Sequence, residues 1–219
     1  MSERDFTPVR RPSARPVRRR PRAGNAILRP PRKADIRRDQ LVQAAITLLV
    51  DRGLPESSID DIAARAGVAK GTFYHYFASK ADLMDALRQH FSDAFEARVV
   101  AAVEARPPGD WNGRFEAWVV AATEAYFDMH ALHDVVFHGP SMPHRQSMDD
   151  TDIVGHLAAL VAAGEADGAW HLSGGKPVQV AAFIFHALHG MADDALTAGR
   201  PADQLGPLIA QLSRRVLAG

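Results

Sequence analysis

The sequence predicts an all-α protein: a three-helix N-terminal unit joined to a larger helical region. Three observations carry this. Apolar residues recur at helical spacing in successive stretches between Leu41 and Val216. Glycine and proline punctuate those stretches, at Gly53 and Pro55, Gly67, Pro107 to Gly109, and Gly174 to Pro177. No run shows the strict alternation of a half-buried strand.

The first helix is predicted to begin near Asp35, a suitable N-cap. Leu41, Ala44, Ala45, Leu48 and Leu49 form its apolar face, and Gly53 and Pro55 stop it. Arg37 and Arg38 near its start are placed for phosphate contact. The stretch 58–80, SIDDIAARAGVAKGTFYHYFASK, organises the rest. Ser58 followed by Asp61 resembles a capping box. Ile59, Ile62, Ala63 and Ala66 then make one helical face, with small alanines where two helices cross closely. Gly67 suits the left-handed backbone of a sharp turn, and Val68 fills the corner.

A second short helix is expected over about Ala69 to Phe77, anchored by Phe73 and Phe77 four residues apart. That leaves Lys70, Thr72, Tyr74, His75 and Tyr76 on its other faces. Lysine donates to phosphate or guanine acceptors, and threonine and tyrosine hydroxyls donate to phosphate oxygens. Gly71 lets the backbone approach DNA closely. Ser79 caps the following helix, with Asp82 three residues on. Lys80 lies in that first turn, where a helix N-terminus favours an anion and a phosphate oxygen is the natural ligand. The pattern is a helix–turn–helix whose second helix enters the major groove.

This stretch resembles the DNA-binding signature of the TetR family of bacterial transcriptional regulators. The matching residues are Ile62-Ala63, Ala66-Gly67-Val68, Lys70-Gly71-Thr72, Phe73-Tyr74, Tyr76-Phe77 and Ser79-Lys80. With the first helix, the resemblance covers about 45 residues. It implies base contacts from Lys70, Tyr74 and the Gly71 backbone, and phosphate contacts from Thr72, Tyr76 and Lys80, with His75 as a further candidate. It also implies a homodimer built through the last two helices, and a C-terminal site where a small-molecule effector binds and releases a palindromic operator.

Beyond the motif, a long helix is expected over about Lys80 to Ala105, striped by Leu83, Leu87, Phe91 and Phe95 and broken at Arg106 to Gly109. The next carries Phe115, Trp118, Val119, Ala122, Tyr126 and Met129 on one face. A short piece follows around Ala131 to His138, then a loop over 139–150. Ile153, Leu157, Leu160 and Val161 mark another helix, ending near Gly164 to Gly168. Pro177 opens a helix to about residue 198 that is apolar almost all round and so needs neighbours on every side. The last helix carries Leu205, Leu208, Ile209, Leu212 and Val216.

Charge is unevenly spread. Residues 1–33 hold eleven Arg and Lys against Glu3 and Asp5, a net +9, so the remainder carries −9 within a total of zero. This Arg- and Pro-rich segment is too poor in apolar residues to form a core and is predicted to be disordered. It is either a basic arm following phosphates or the minor groove, or a solvated tail. The expected division is an arm at 1–33, a helix–turn–helix domain at 34–80, and an effector-binding and dimerisation domain at 81–219.

The sequence has no cysteine, which excludes disulfides, thiol catalysis and Cys-based metal sites. The expected location is cytoplasmic, with no secretory signal, no membrane span and no membrane partner. No nucleophile elbow, phosphate loop, dinucleotide fingerprint or His-Glu-x-x-His pair is present, so an enzyme is not expected and no cofactor is required. A protein that coats DNA nonspecifically through the basic arm is a third class, separable by deleting 1–33.

Candidate effector-lining residues are Trp118, Tyr126, Phe127, Met129, Phe137 and Met142, although for any one of them core packing is the commoner role. His130, Asp134 and His138 share a face if their helix is continuous, with His133 off to one side. His186 and His189 are three apart on the apolar helix, near Asp193 and Asp194. These groups suit a divalent transition metal and a metal-responsive regulator, or else hydrogen-bonded structural roles.

Overall fold

The computed structural model describes residues 33–53, 56–138, 152–172 and 175–218. Among them are helices α1 (Lys33–Arg52), α2 (Ile59–Arg65), α3 (Lys70–Tyr76), α4 (Lys80–Glu104), α5 (Trp111–Phe137), α6 (Asp152–Ala166), α7 (Pro177–Thr197) and α8 (Ala202–Leu217). No strand occurs among the described residues. The predicted basic arm lies outside them except for Lys33, and so do Met142 and the predicted loop at 139–150.

The α2–α3 corner forms for local reasons. The Ser58 hydroxyl accepts from the Asp61 amide at 3.1 Å, and the Asp61 carboxylate accepts from the Ser58 amide at 2.9 Å. This reciprocal cap satisfies two otherwise orphaned donors. The hydroxyl and amide of Ser58 together hold the Asp61 carboxyl below the usual carboxylate range. At the other end Gly67 sits at φ 67°, a left-handed conformation that side chains disfavour. Its amide bonds Ala64 O at 3.1 Å, and the Val68 amide bonds Ala63 O at 3.0 Å. Both bonds close the helix in a Schellman motif. Ser58→Ala is expected to cost about 1 kcal/mol, read as a lower midpoint in urea melts with an unchanged slope. An unshifted midpoint would show that the cap is not stabilising.

Packing fixes where the corner sits. Ile62, Phe73 and Phe77 are buried in one apolar core with Leu41, Ala45 and Leu49 of α1 and Leu83 of α4, and Ala63 is buried too. The stripe on α4 is longer than expected: Leu83, Leu87, Phe91, Phe95, Val99 and Val103 are all buried. It lies along α5, which is buried through Phe115, Trp118, Val119, Ala122 and Tyr126. Arg98 and Asp128, 2.5 Å apart, tie α4 to α5. α8 approaches α5 so closely that a Cβ on Gly206 would meet Val120 Cα at 3.1 Å. A larger residue there would push the two helices apart by a few tenths of an ångström.

Three expectations are corrected. α1 begins at Lys33, not at Asp35, which lies in its first turn. A carboxylate there favours the helix N-terminus without capping it. The separate piece at 131–138 does not exist: α5 runs unbroken to Phe137, since neither glycine nor proline interrupts residues 114–137. And α7 is not buried all round. Val178 and Phe183 are 50% and 59% exposed, beside Leu208, Leu212 and Val216, which are exposed on α8.

Candidate DNA-reading face and histidine cluster

α3 is anchored by its inward side. Phe73 and Phe77 are almost fully buried, with ring centroids 5.6 Å apart. Burying them turns the other side chains outward. Lys70, Gly71, Tyr74 and His75 are exposed, and Thr72 and Tyr76 are half-buried. Tyr76 packs partly against the core, and its ring meets His75 edge-on at 5.0 Å. Gly71 has open space where a Cβ would stand.

The cations of this face are already engaged. Lys70 Nζ donates to Asp60 Oδ2 at 2.9 Å, joining α3 to α2. That hydrogen bond and charge hold the ammonium above the ordinary lysine range. Lys80 Nζ turns back to Ser57 O at 2.5 Å, and burial lowers its pKa. Arg38 lies over the Phe77 ring at 5.3 Å, a cation–π contact that bolts α1 to α3. Arg37 donates to Gln40 at 3.0 Å.

The expected effector-lining residues fall in two places. Trp118 is fully buried, and its indole N–H donates to His156 Nδ1 at 3.1 Å. His156 in turn lines a cleft of about 230 Å³ with Val103, Trp111, Arg114 and Leu160. Arg114 stacks over Trp111 at 5.1 Å, and its Nε is buried without a hydrogen-bond partner among the described residues. Arg114 and His156 were not singled out from the sequence. Tyr126 and Phe137 lie elsewhere, packed around His133, and Phe127 and Met129 are half-buried against the core.

The histidines converge on a residue that helix spacing set aside. His133 is fully buried between α5, α4 and α7. Its Nε2 lies 3.1 Å from Nε2 of His189. Its Nδ1 lies 3.5 Å from Asp134 Oδ1, too long for a hydrogen bond. The same Asp134 oxygen is 3.6 Å from His138 Nδ1, and Oδ2 is 3.3 Å from His130 Nε2. His189 Nδ1 faces Asp193 Oδ2 at 3.6 Å, and Asp193 accepts the Tyr126 hydroxyl at 2.5 Å.

Burial, aided by His189 and His138, pushes the His133 pKa down to about 4; burial also lowers that of His189. Burial, and then the bond to Asp193, raise that of Tyr126. His130, Asp134, His138 and His189 are thus brought together, whereas His186 lies on the exposed side of α7. His133, Asp134 and His138 offer ligand atoms within 4.8 Å of one another, a donor set suited to a transition metal.

The sequence model of the family described as "Bacterial regulatory proteins, tetR family" matches residues 41–87. The chain is 40% identical over 128 residues to the transcriptional activator FasR of Mycolicibacterium smegmatis, covering 58% of this chain and 53% of that one. It is 42% identical over 57 residues to the repressor KstR2 of the same organism, covering 26% and 28%. To the regulator BetI of Cronobacter sakazakii it is 32% identical over 134 residues, covering 57% and 65%. The matches thus span less than two thirds of the length of these relatives.

In fold, a protein of unknown function from Rhodococcus sp. RHA1 superposes with a TM-score of 0.71 at 22% identity, covering 84% of this chain and 96% of that one. The fatty acid degradation regulator FadR of Bacillus halodurans does so with 0.64 at 19%, covering 84% and 95%. With its capped α2, left-handed Gly67 turn and aromatic α3, the segment at residues 41–87 is that of the TetR family of bacterial regulatory proteins.

Proposed function

We propose that the protein is a sequence-specific DNA-binding transcriptional regulator, a repressor released from a palindromic operator when a small molecule binds. One observation carries the reading. α3 is fastened by Phe73 and Phe77 and turns Lys70, the Gly71 backbone, Tyr74 and His75 to solvent on one short rod. In the proposed docking Lys70 and Tyr74 meet base edges, with His75 beside them, and Thr72, Tyr76 and Lys80 meet phosphates. Lys70 exchanges Asp60 for the DNA, so part of its Coulomb gain on binding is offset by the broken pair. Residues 34–80 form the reading head, and 81–219 bind the effector and dimerise.

The exposed apolar face of α7 and α8 supports a homodimer, because scattered contact with water at Phe183, Leu208, Leu212 and Val216 is relieved when two copies pack as four helices. Two heads then read half-sites about one DNA turn apart. The cleft at Arg114 and His156, reached from within by Trp118, supports an effector site in the same half of the chain. An effector that prefers the wrong head spacing lowers DNA affinity by linkage. Among the described residues no helix is long and apolar enough to cross a membrane.

The test is binding to duplexes selected from random DNA. Tyr74→Ala is expected to weaken the selected site by about 1–3 kcal/mol, leave bulk DNA affinity unchanged, and keep the fold. Equal binding of the selected site by variant and native protein would remove Tyr74 from the reading face.

A further inference from the structure

The histidine pair poses a proton-counting problem. Two neutral imidazoles carry two ring protons between them. With the Nε2 atoms 3.1 Å apart, one proton lies in that contact. The second can occupy only one of the two outer nitrogens, His133 Nδ1 or His189 Nδ1. Both face carboxylates, Asp134 at 3.5 Å and Asp193 at 3.6 Å. One ring therefore turns a bare lone pair toward a carboxylate, which repels unless a cation stands between them.

The surroundings decide which ring. His133 Nδ1 is buried and makes no hydrogen bond among the described residues. It also has a further nitrogen nearby: His138 Nδ1, 3.6 Å from the same Asp134 oxygen. The three ligand atoms lie within 4.8 Å of one another. Metal bonds to nitrogen and oxygen of about 2.0–2.2 Å allow ligand atoms up to about 4.4 Å apart. Small rotations of Asp134 and His138, both about half exposed, close that difference.

We propose that His133 Nδ1, the Asp134 carboxylate and His138 Nδ1 hold one divalent first-row transition metal ion, with His189 and Asp193 as outer supports. The proton count then closes without conflict. The His133 Nε2–H donates to His189 Nε2, and the His189 Nδ1–H points to Asp193, fixing the ligand ring as outer carboxylates and histidines do at metal centres. Two imidazoles and one carboxylate select zinc, nickel or cobalt over magnesium and calcium, which take oxygen ligands. Water fills the remaining positions on the exposed side. His130 holds the other Asp134 oxygen and makes no bond to the ion. This site does not depend on the DNA-binding reading, and its test reads metal alone.

The full chain, made without a histidine tag and stripped with chelator, is titrated with Co²⁺. Visible absorption and calorimetry follow binding, with Zn²⁺ as competitor. One ion per chain is expected. His189→Ala should weaken binding about 10–100-fold; His138→Ala and Asp134→Asn should weaken it more, and His186→Ala, on the exposed side of α7, should leave it unchanged. Circular dichroism confirms folding, and the exposed His138 makes its variant the decisive one. Substoichiometric uptake by the native chain overturns the proposal. So does His138→Ala binding as tightly as native, or His186→Ala losing the ion.

Discussion

Phe183→Glu combined with Leu212→Glu is expected to turn the proposed dimer into a monomer at micromolar concentration. Both side chains are exposed in a single chain, at 59% and 45%, on the adjoining helices α7 and α8. Fold stability of one chain should therefore hardly change, because such surface substitutions cost little. In a four-helix interface each becomes a central apolar anchor. Losing an anchor costs about 2 kcal/mol or more, so the pair weakens association by roughly a thousandfold. Carboxylates buried without partners add to that. Sedimentation equilibrium reads the mass directly, and operator affinity should fall with it, since one head meets only half a site. A native mass that is already monomeric would remove the dimer, and a variant that stays dimeric would place its interface elsewhere.

The second large effect concerns the anchor of α3. Phe73→Ala is expected to destabilise the protein by about 3–5 kcal/mol, the range for a buried phenylalanine replaced by alanine. The ring is fully buried in a core shared with Ile62 of α2, and it touches Phe77 and Tyr74. Its neighbour Tyr74, half exposed, is the internal control: Tyr74→Ala should move stability by less than about 0.5 kcal/mol. Urea melts of both variants read the contrast. Binding to the selected site should weaken in both, for different reasons: Tyr74→Ala keeps its bulk DNA affinity, and only Phe73→Ala should recover partly with stabilising osmolytes. Equal midpoints for the two variants would mean that Phe73 is not what holds the helix.

The helix–turn–helix corner was legible because its determinants are local. Ser58 and Asp61 are three apart, Gly67 follows the helix it ends, and Phe73 and Phe77 are four apart. Backbone geometry alone then says which groups can meet. The same reasoning misjudged α5, where a break was read between Met129 and Ala131 although neither glycine nor proline stands there. Nor could it divide the almost all-round apolar surface of α7 between a face against α6 and one left exposed, because composition does not distinguish them. The cleft at Arg114 and His156 joins residues more than forty positions apart and carried no periodic pattern.

The histidines mark the boundary most sharply. From spacing, His130, Asp134 and His138 form a face and His133 stands apart. In the folded chain His133 is central, because α7 packs on that side and brings His189 Nε2 to 3.1 Å. The sequence by itself determined the helices, the capped turn and the residues α3 presents, since these rest on contacts within about one helical turn. Only the tertiary structure decided which side of α5 faces inward, which part of α7 stays exposed, and which imidazoles meet. Those outcomes depend on how distant helices pack, and a helix's own periodicity offers several faces to choose from.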